Sequence, residues 1–366
     1  MIDRIKNVIT VGLAAGFILL CVAGNFISRD KDVSESERRK LAQFPQVNAA
    51  SVMNGTFMEE FDKYSQDQFI FRDELRTVKA GVSLYGLRKM DNNGYFMADG
   101  QISRIEYPLD IKSLDRAVNH IKDIYDIYLA DKDINVYTCV IPDKNYYIAS
   151  NNGYLCFDYD ILIKTVQQNL EFAIYIDIMD RLDKDSYYVT DIHWKQEKIT
   201  DVADYILKVM GVYSDKELKE MYRDEAFHGV YYGQMAIPVH ADTLVCLTWN
   251  GMDDCSVYDY ETSSYIDIYD ETCLDSNDSY SVYLSGSKSL LELTNPDADS
   301  DKELIIFRDS FGSSIAPLLL RSYSKITLVD TRYISAKILD RFIEFNNQDV
   351  LFMYSTSVLG NETSFR

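Results

Sequence analysis

The chain has 366 residues, 47% hydrophobic and 26% charged, with 37 basic against 58 acidic side chains and a formal charge of −21. This is the composition of a globular protein and excludes a disordered or collagen-like chain. Such an acidic balance argues against nucleic acid as the main partner and against simple electrostatic docking on anionic lipid, since both need clustered Lys and Arg. Val8 to Ile27 is a run of 20 residues without a charge, just long enough to cross a bilayer as a helix. Arg4 and Lys6 precede it with Asp3, whereas Arg29-Asp30-Lys31-Asp32 behind it is neutral. This small bias predicts a cytoplasmic N-terminus and residues 28–366 outside, at the cell envelope. A cleavable signal peptide fits the same run, with Val22-Ala23-Gly24 as its small residues, and the chain would then be secreted. Leu20 before Cys21 is a poor match to a lipoprotein site. The first 27 residues carry +1, which leaves −22 on the exported part.

Five cysteines fall in the exported part: Cys139, Cys156, Cys246, Cys255 and Cys273. An odd number excludes a full disulfide framework in a monomer. Cys246 and Cys255 are a possible pair, and burial as small hydrophobes is the other reading. The absence of a Cys-x-x-Cys pair excludes a zinc knuckle. The 28 Tyr and 17 Phe supply many apolar faces, the Tyr with polar tips. Such residues line sugar grooves and also serve in ordinary cores.

Residues 28–50 are polar, hold Arg38-Arg39-Lys40 and Phe44-Pro45, and read as a stalk. Over 54–89 the pattern is helical: Phe57, Phe61 and Tyr64 share a face, as do Leu75, Val78, Val82 and Tyr85. Residues 28–90 therefore form a stalk and helical docking segment. From about 91 short strands and helices alternate. Gly94–Met97 and Ile102–Ile105 form a hairpin around Asp99-Gly100. Leu109–Leu129 is a long amphipathic helix, and Asn135–Ile141 a strand closed by Pro142. Asp160–Leu170 is a helix, Tyr187–Thr190 a short strand and Gln196–Met210 a helix. Strands at Leu304–Phe307, Lys325–Val329 and Val350–Tyr354 then alternate with helices at Ser313–Tyr323 and Ser335–Phe345. This predicts an α/β domain over 91–366, a mostly parallel sheet with helices on both faces. Residues 212–285, rich in Tyr, Asp, Ser and Thr, read as a β-rich insertion of antiparallel strands.

Two segments carry chemistry. In Phe307-Arg308-Asp309-Ser310-Phe311-Gly312-Ser313-Ser314 an apolar strand runs into a polar turn and then a helix. Ligands bind beyond the carboxyl ends of parallel strands, and the N–H groups of a helix start stabilise developing negative charge. A serine there fits the physics of a nucleophile elbow, and it equally fits an N-cap. In Thr190-Asp191-Ile192-His193-Trp194, Asp191 and His193 are two residues apart, so extended backbone points both to one side. A carboxylate beside an imidazole fixes its tautomer and supports the imidazolium. A helix cap and a core histidine are the plainer reading. Of the four histidines only His193 has such a partner at a strand end. His120 sits inside a helix, and His228 and His240 lie in the insertion. No third ligand at helical spacing accompanies His193, so no metal site is expected.

These segments, with Glu37-Arg38-Arg39-Lys40-Leu41, Phe44-Pro45, Asn54-Gly55-x-Phe57, Asp67-Gln68-Phe69-x-x-Arg72, Ile141-Pro142-Asp143-Lys144 and Val329-Asp330-x-Arg332-Tyr333, resemble the DHHW family of exported bacterial proteins. That family is similar in turn to the SGNH-type alginate O-acetyltransferases. The resemblance implies a three-layer SGNH-hydrolase-like fold with permuted motif order, Asp and His preceding Ser. It implies Ser310 as nucleophile, His193 as general base and Asp191 as its orienter. Backbone N–H groups near Phe311 and around Ser285-Gly286-Ser287 would form the oxyanion hole. Trp194, Arg308, Phe311, Gly286, Ser287, Arg332 and Tyr333 would line the substrate. Ile192 replaces the first His of the family motif, Arg308 stands where Gly usually precedes Asp-Ser, and Ser287 stands in place of an Asn or Asp.

The function expected is O-acyl transfer, of acetyl in the first place, to an exported polysaccharide or cell-wall polymer, without a cofactor. The resemblance implies a membrane-bound O-acyltransferase as partner. A carbohydrate esterase using the same triad and a non-catalytic glycan-binding or scaffold protein are the alternatives.

Overall fold

The computed structural model describes residues 2–274, 276, 278–360 and 365. It divides into two units: Met1–Asn92 with Gly233–Pro238, and Asn93–Tyr232 with Val239–Arg366.

In the second unit, strands rich in β-branched and aromatic residues pair into one eight-stranded sheet. In chain order they are β1 (Val136–Ile141), β2 (Ile174–Tyr175), β3 (Ser256–Asp259), β4 (Ser264–Ile266), β5 (Leu290–Thr294), β6 (Glu303–Arg308), β7 (Lys325–Val329) and β8 (Asp349–Ser355). Their order across the sheet is β4-β3-β5-β7-β6-β8-β1-β2. β7, β6, β8, β1 and β2 run parallel. β1 and β8 are buried along their whole length because helices cover both faces, which is why they read as continuous apolar runs. Successive side chains alternate between two cores. Tyr137, Cys139, Ile306, Leu351 and Met353 pack with Val202, Ile206, Ile315 and Leu319, from the helices Thr200–Val209 and Gly312–Leu320. Val136, Val140, Ile305, Phe307 and Phe352 pack with Leu114, Val118, Ile121, Leu162 and Val166, from Ile111–Tyr128 and Tyr159–Asn169. This is the three-layer α/β arrangement.

The sheet is mostly parallel, as expected, with an antiparallel flank: β5 runs antiparallel to β7 and to β3, and β3 antiparallel to β4. Other expectations need correction. Part of the 212–285 stretch extends the main sheet, while Lys219–Phe227 and Asp242–Thr248 form a separate antiparallel pair. Asp275 and Asn277 of that stretch lie outside the described residues. Tyr187–Thr190 is no strand; only an isolated bridge links Tyr187 to Trp194. The helix expected from Gln196 begins as a 3₁₀ turn over Gln196–Lys198, and Ala336–Arg341 is 3₁₀ throughout. Apolar spacings of three and four suit both helix types, so periodicity did not separate them. All six cysteines are free, Cys246 and Cys255 included.

In the first unit, the helix Ile2–Ile27 contains Arg4–Ile27, long and apolar enough to cross a membrane. Such a helix serves as an anchor or as a signal peptide. Phe44 packs edge-on against Phe57, Phe61 and Tyr64 of the helix Thr56–Asp67, with ring centroids 6.5, 6.1 and 5.3 Å away. Arg39 makes a two-pronged bond to Asp67 at 2.9 and 2.5 Å, and Arg72 meets Glu37 at 2.6 Å. The Arg39 guanidinium holds the Asp67 carboxyl down at about 2.

Candidate active site

β6 ends at Arg308, and Asp309-Ser310-Phe311 turns the chain into the helix Gly312–Leu320. The buried Asp309 carboxylate fixes this turn. One oxygen accepts the Phe311 N–H (3.0 Å), and the other accepts the Ser355 N–H at the end of β8 (2.7 Å). Gly312 is required by packing: a Cβ there would lie 2.7 Å from Cβ of Arg308. The turn leaves Ser310 half-buried at the carboxyl end of a central strand.

His193 lies across from it. Its Nε2 is 2.8 Å from Ser310 Oγ, and its Nδ1 is 2.6 Å from Asp191 Oδ1. An ionised carboxylate only accepts, so Nδ1 carries the proton and Nε2 is free to accept from the serine hydroxyl. Asp191, 1% exposed, also accepts the His193 backbone N–H at 3.1 Å and, on Oδ2, the Val230 N–H at 2.9 Å. The chain passes so close there that a Cβ on Gly229 would sit 2.2 Å from Cβ of Asp191.

The imidazole is stacked as well as bonded. Tyr280 stacks on it with centroids 3.8 Å apart and planes 7° from parallel. The Tyr280 hydroxyl donates to Ser314 Oγ at 2.9 Å, and Trp194 Nε1 donates to the same oxygen at 2.8 Å. Burial pushes the Tyr280 phenol well above its ordinary value and keeps it a donor. Phe311 lies tilted against the imidazole with centroids 4.9 Å apart and meets Trp194 edge-on.

Ser310, His193 and Asp191 are thus brought together, whereas the expected substrate-lining residues divide. Trp194, Phe311 and Arg308 are buried. Arg308 is held by Asp330 (3.9 Å) and by weak contacts to the carbonyls of Asp309 and Lys288. Arg332 is spent on a two-pronged bond to Asp330 at 2.9 and 2.6 Å. Tyr333 and Ser287 are exposed. The expected oxyanion donors are already engaged: the Phe311 N–H by Asp309, and the Gly286 N–H by the Tyr283 carbonyl at 3.2 Å. Among the described residues no acceptor meets the Ser310 N–H, which leaves it as a donor at the turn. His120 bonds Thr331 at 3.0 Å, His228 lies tilted against Tyr232, and His240 is exposed. Sequence reasoning missed Tyr280, Ser314 and Gly229. All three act through contacts distant in sequence, and no local pattern marks them.

Ser310 thus stands at the end of a central strand, facing a histidine and an aspartate supplied by an earlier segment, on a three-layer mixed α/β sheet. Solved structures agree at the level of fold. A DHHW family protein from Eubacterium siraeum superimposes with a TM-score of 0.59 at 19% identity, covering 74% of this chain and 94% of that one. Bacillus cereus PatB1, in a structure with a sulfonyl adduct, gives 0.58 at 15% identity over 76% of this chain and 99% of its own. A second structure of Bacillus cereus PatB1 gives 0.55 at 17% identity over 74% and 99%. No family model matches the sequence, and no curated protein matches it in sequence.

Proposed function

We propose that the chain is a membrane-tethered, extracytoplasmic O-acyltransferase that moves an acetyl group onto an exported polysaccharide or cell-wall polymer. The observation that carries this reading is the unbroken chain of short contacts from Ser310 Oγ through His193 to Asp191, 2.8 and 2.6 Å. Ser310 Oγ attacks the acyl carbonyl while His193 Nε2 takes its proton. The imidazolium then protonates the departing donor oxygen, and the acyl group stays on Ser310 as an ester. In the second half a sugar hydroxyl gives its proton to Nε2, attacks the ester carbonyl and leaves acylated, with the proton returned to Ser310. Asp191 balances the charge on the imidazolium. The face of Tyr280 adds a cation–π contribution, on the order of 0.5–2 kcal/mol. The Ser310 N–H is the nearest candidate for stabilising the oxyanion. The N-terminal helix would hold the site beside a membrane-bound O-acyltransferase that delivers the acyl group. An exterior charge of −22 disfavours a polyanionic acceptor and suits a neutral or amine-bearing glycan.

The test uses the full chain in detergent. Hydrolysis of an aryl acetate is compared for wild type, Ser310→Ala and His193→Ala, and Ser310 is examined by mass after treatment with a sulfonyl fluoride. Both variants should lose about 10³-fold or more, and only the wild-type serine should gain mass. Added oligosaccharides then report whether sugar or water captures the acetyl group, which separates transferase from esterase. A folded wild type as silent as Ser310→Ala, with no mass shift on Ser310, would sink the proposal.

A further inference from the structure

The segment that delivers Asp191 and His193 is not a member of any sheet. Residues 187–194 are linked by the Tyr187–Trp194 bridge and by the bond from Ile102 N–H to the Val189 carbonyl (3.2 Å). Buried backbone groups outside a ladder need other partners, and here two buried side chains supply them. On one side the Asp242 carboxylate, 6% exposed, accepts the Val189 N–H at 2.8 Å, the Thr190 N–H at 2.7 Å and the Thr190 hydroxyl at 2.6 Å. On the other the Lys144 amine, 1% exposed, donates to the carbonyls of Tyr188 at 2.9 Å and Val189 at 3.2 Å, and to that of Ile102. Thr190 Oγ1 also accepts the Gly229 N–H at 2.9 Å, one residue before the Val230 N–H that holds Asp191. Burial pulls Lys144 down to about 7, against the opposing pull of Asp191 and Asp242.

We propose that Asp242 and Lys144 are positioning residues for the triad: from opposite sides they replace the missing strand pairing of residues 188–190, and so set the alignment of Asp191 and His193 with Ser310. Asp242 stands at the start of the strand Asp242–Thr248, in the stretch inserted between the histidine and serine segments. That stretch therefore carries part of the site's framework. The inference rests on the catalytic reading of Ser310, but its geometry concerns the His193–Asp191 bond and can be read without turnover.

The experiment uses the full chain in detergent micelles with Asp242→Asn, Lys144→Met and Thr190→Val. Two readouts are taken: the rate at which phenylmethanesulfonyl fluoride adds to Ser310, followed by mass, and the far-downfield proton NMR signal of His193 Nδ1–H. The carboxamide of Asp242→Asn faces an N–H or hydroxyl donor with an NH₂ group and must rotate or push the segment away. A displacement of about 1 Å typically costs on the order of 10²-fold in rate. Folded Asp242→Asn and Lys144→Met should therefore label about 10²-fold more slowly, with the downfield signal shifted or lost. A merely structural role would lower the melting temperature and leave both readouts unchanged. Labelling within threefold of wild type together with an unshifted signal in either folded variant overturns the proposal. Should both variants fail to fold, Thr190→Val decides, because it removes only one hydroxyl. A labelling rate and signal equal to wild type overturn the proposal, whereas about a tenfold loss with a shifted signal supports it. If wild-type Ser310 takes no label, the catalytic reading falls and the NMR signal alone decides the positioning.

Discussion

The closest approach in the site gives the sharpest prediction, Gly229→Ala. Gly229 does not adopt a left-handed φ, so alanine meets no backbone strain there, and the obstacle is purely one of space. The added methyl would sit 2.2 Å from Cβ of Asp191, 2.4 Å from its Oδ2 and 2.6 Å from its Cα. Ordinary van der Waals contact begins at 3.4 Å, so the pair is about 1.2 Å too close, and one of the nearby atoms is backbone. Relief must move Asp191, or move Gly229 and with it the Val230 N–H that holds Asp191 Oδ2. Either movement spoils a His193–Asp191 bond now 2.6 Å long. A misplacement of this size costs about 10²-fold, or about 2.7 kcal/mol of barrier. The assay is kcat/KM for aryl acetate hydrolysis, with the Ser310 sulfonylation rate beside it and a thermal melt to establish folding. A folded Gly229→Ala protein keeping more than half the wild-type rate would refute the reasoning, since it would mean that Asp191 tolerates a shift of over an ångström.

Three further outcomes are expected. Tyr280→Leu removes the stacked ring and the hydroxyl bond to Ser314, and should lower kcat about tenfold or more with a smaller change in KM; an unchanged kcat would remove Tyr280 from the site's function. Unreduced protein unfolded in urea should titrate all six cysteines as thiols, whereas the native thiols should react slowly, because burial raises those of Cys246 to about 12 and of Cys255 and Cys273 to about 11. Four titratable thiols in urea would establish a disulfide. Asp67 has its folded pKa depressed to about 2, below an unfolded value of about 3.9, so its stabilising contribution is complete above pH 5 and is lost as pH falls through 4 towards 2. Amide exchange over residues 37–76 should accordingly separate wild type from Asp67→Asn at pH 5 and bring the two closer at pH 2.5; an equal difference at both would contradict the Arg39 pairing.

The parts of the site legible in sequence are those encoded by neighbours in the chain. The apolar run Leu304–Phe307 could only be a buried strand, and the polar turn behind it leads into apolar helix, so Ser310 was marked by local pattern. Asp191 and His193 were marked by a spacing of two. Yet Tyr187–Thr190, expected as a strand, pairs with side chains instead of a ladder. Its composition is that of a strand, but its partners, Asp242 and Lys144, lie about fifty residues away on either side. Separation in sequence also hid Tyr280 and Gly229. The direction of β5 was equally unreadable, because Leu290–Thr294 is apolar enough to pair either way and its antiparallel sense is fixed by β3 and β7, both distant in sequence. The counter-charge that accompanies the burial of Arg308, Asp330, lies 22 residues further on and was likewise not marked by local pattern.

The bond from the Ser355 N–H to Asp309 has a consequence for the timing of assembly. β6 pairs only with β7 and β8, both of which follow it in the chain, and the aspartate before Ser310 is satisfied only once β8 has reached its last residue. A chain emerging N-terminus first has made Asp191 and His193 long before this, but it holds Ser310 on an unpaired strand with a half-coordinated turn. Ser310 is thus the last of the three residues to be set in place.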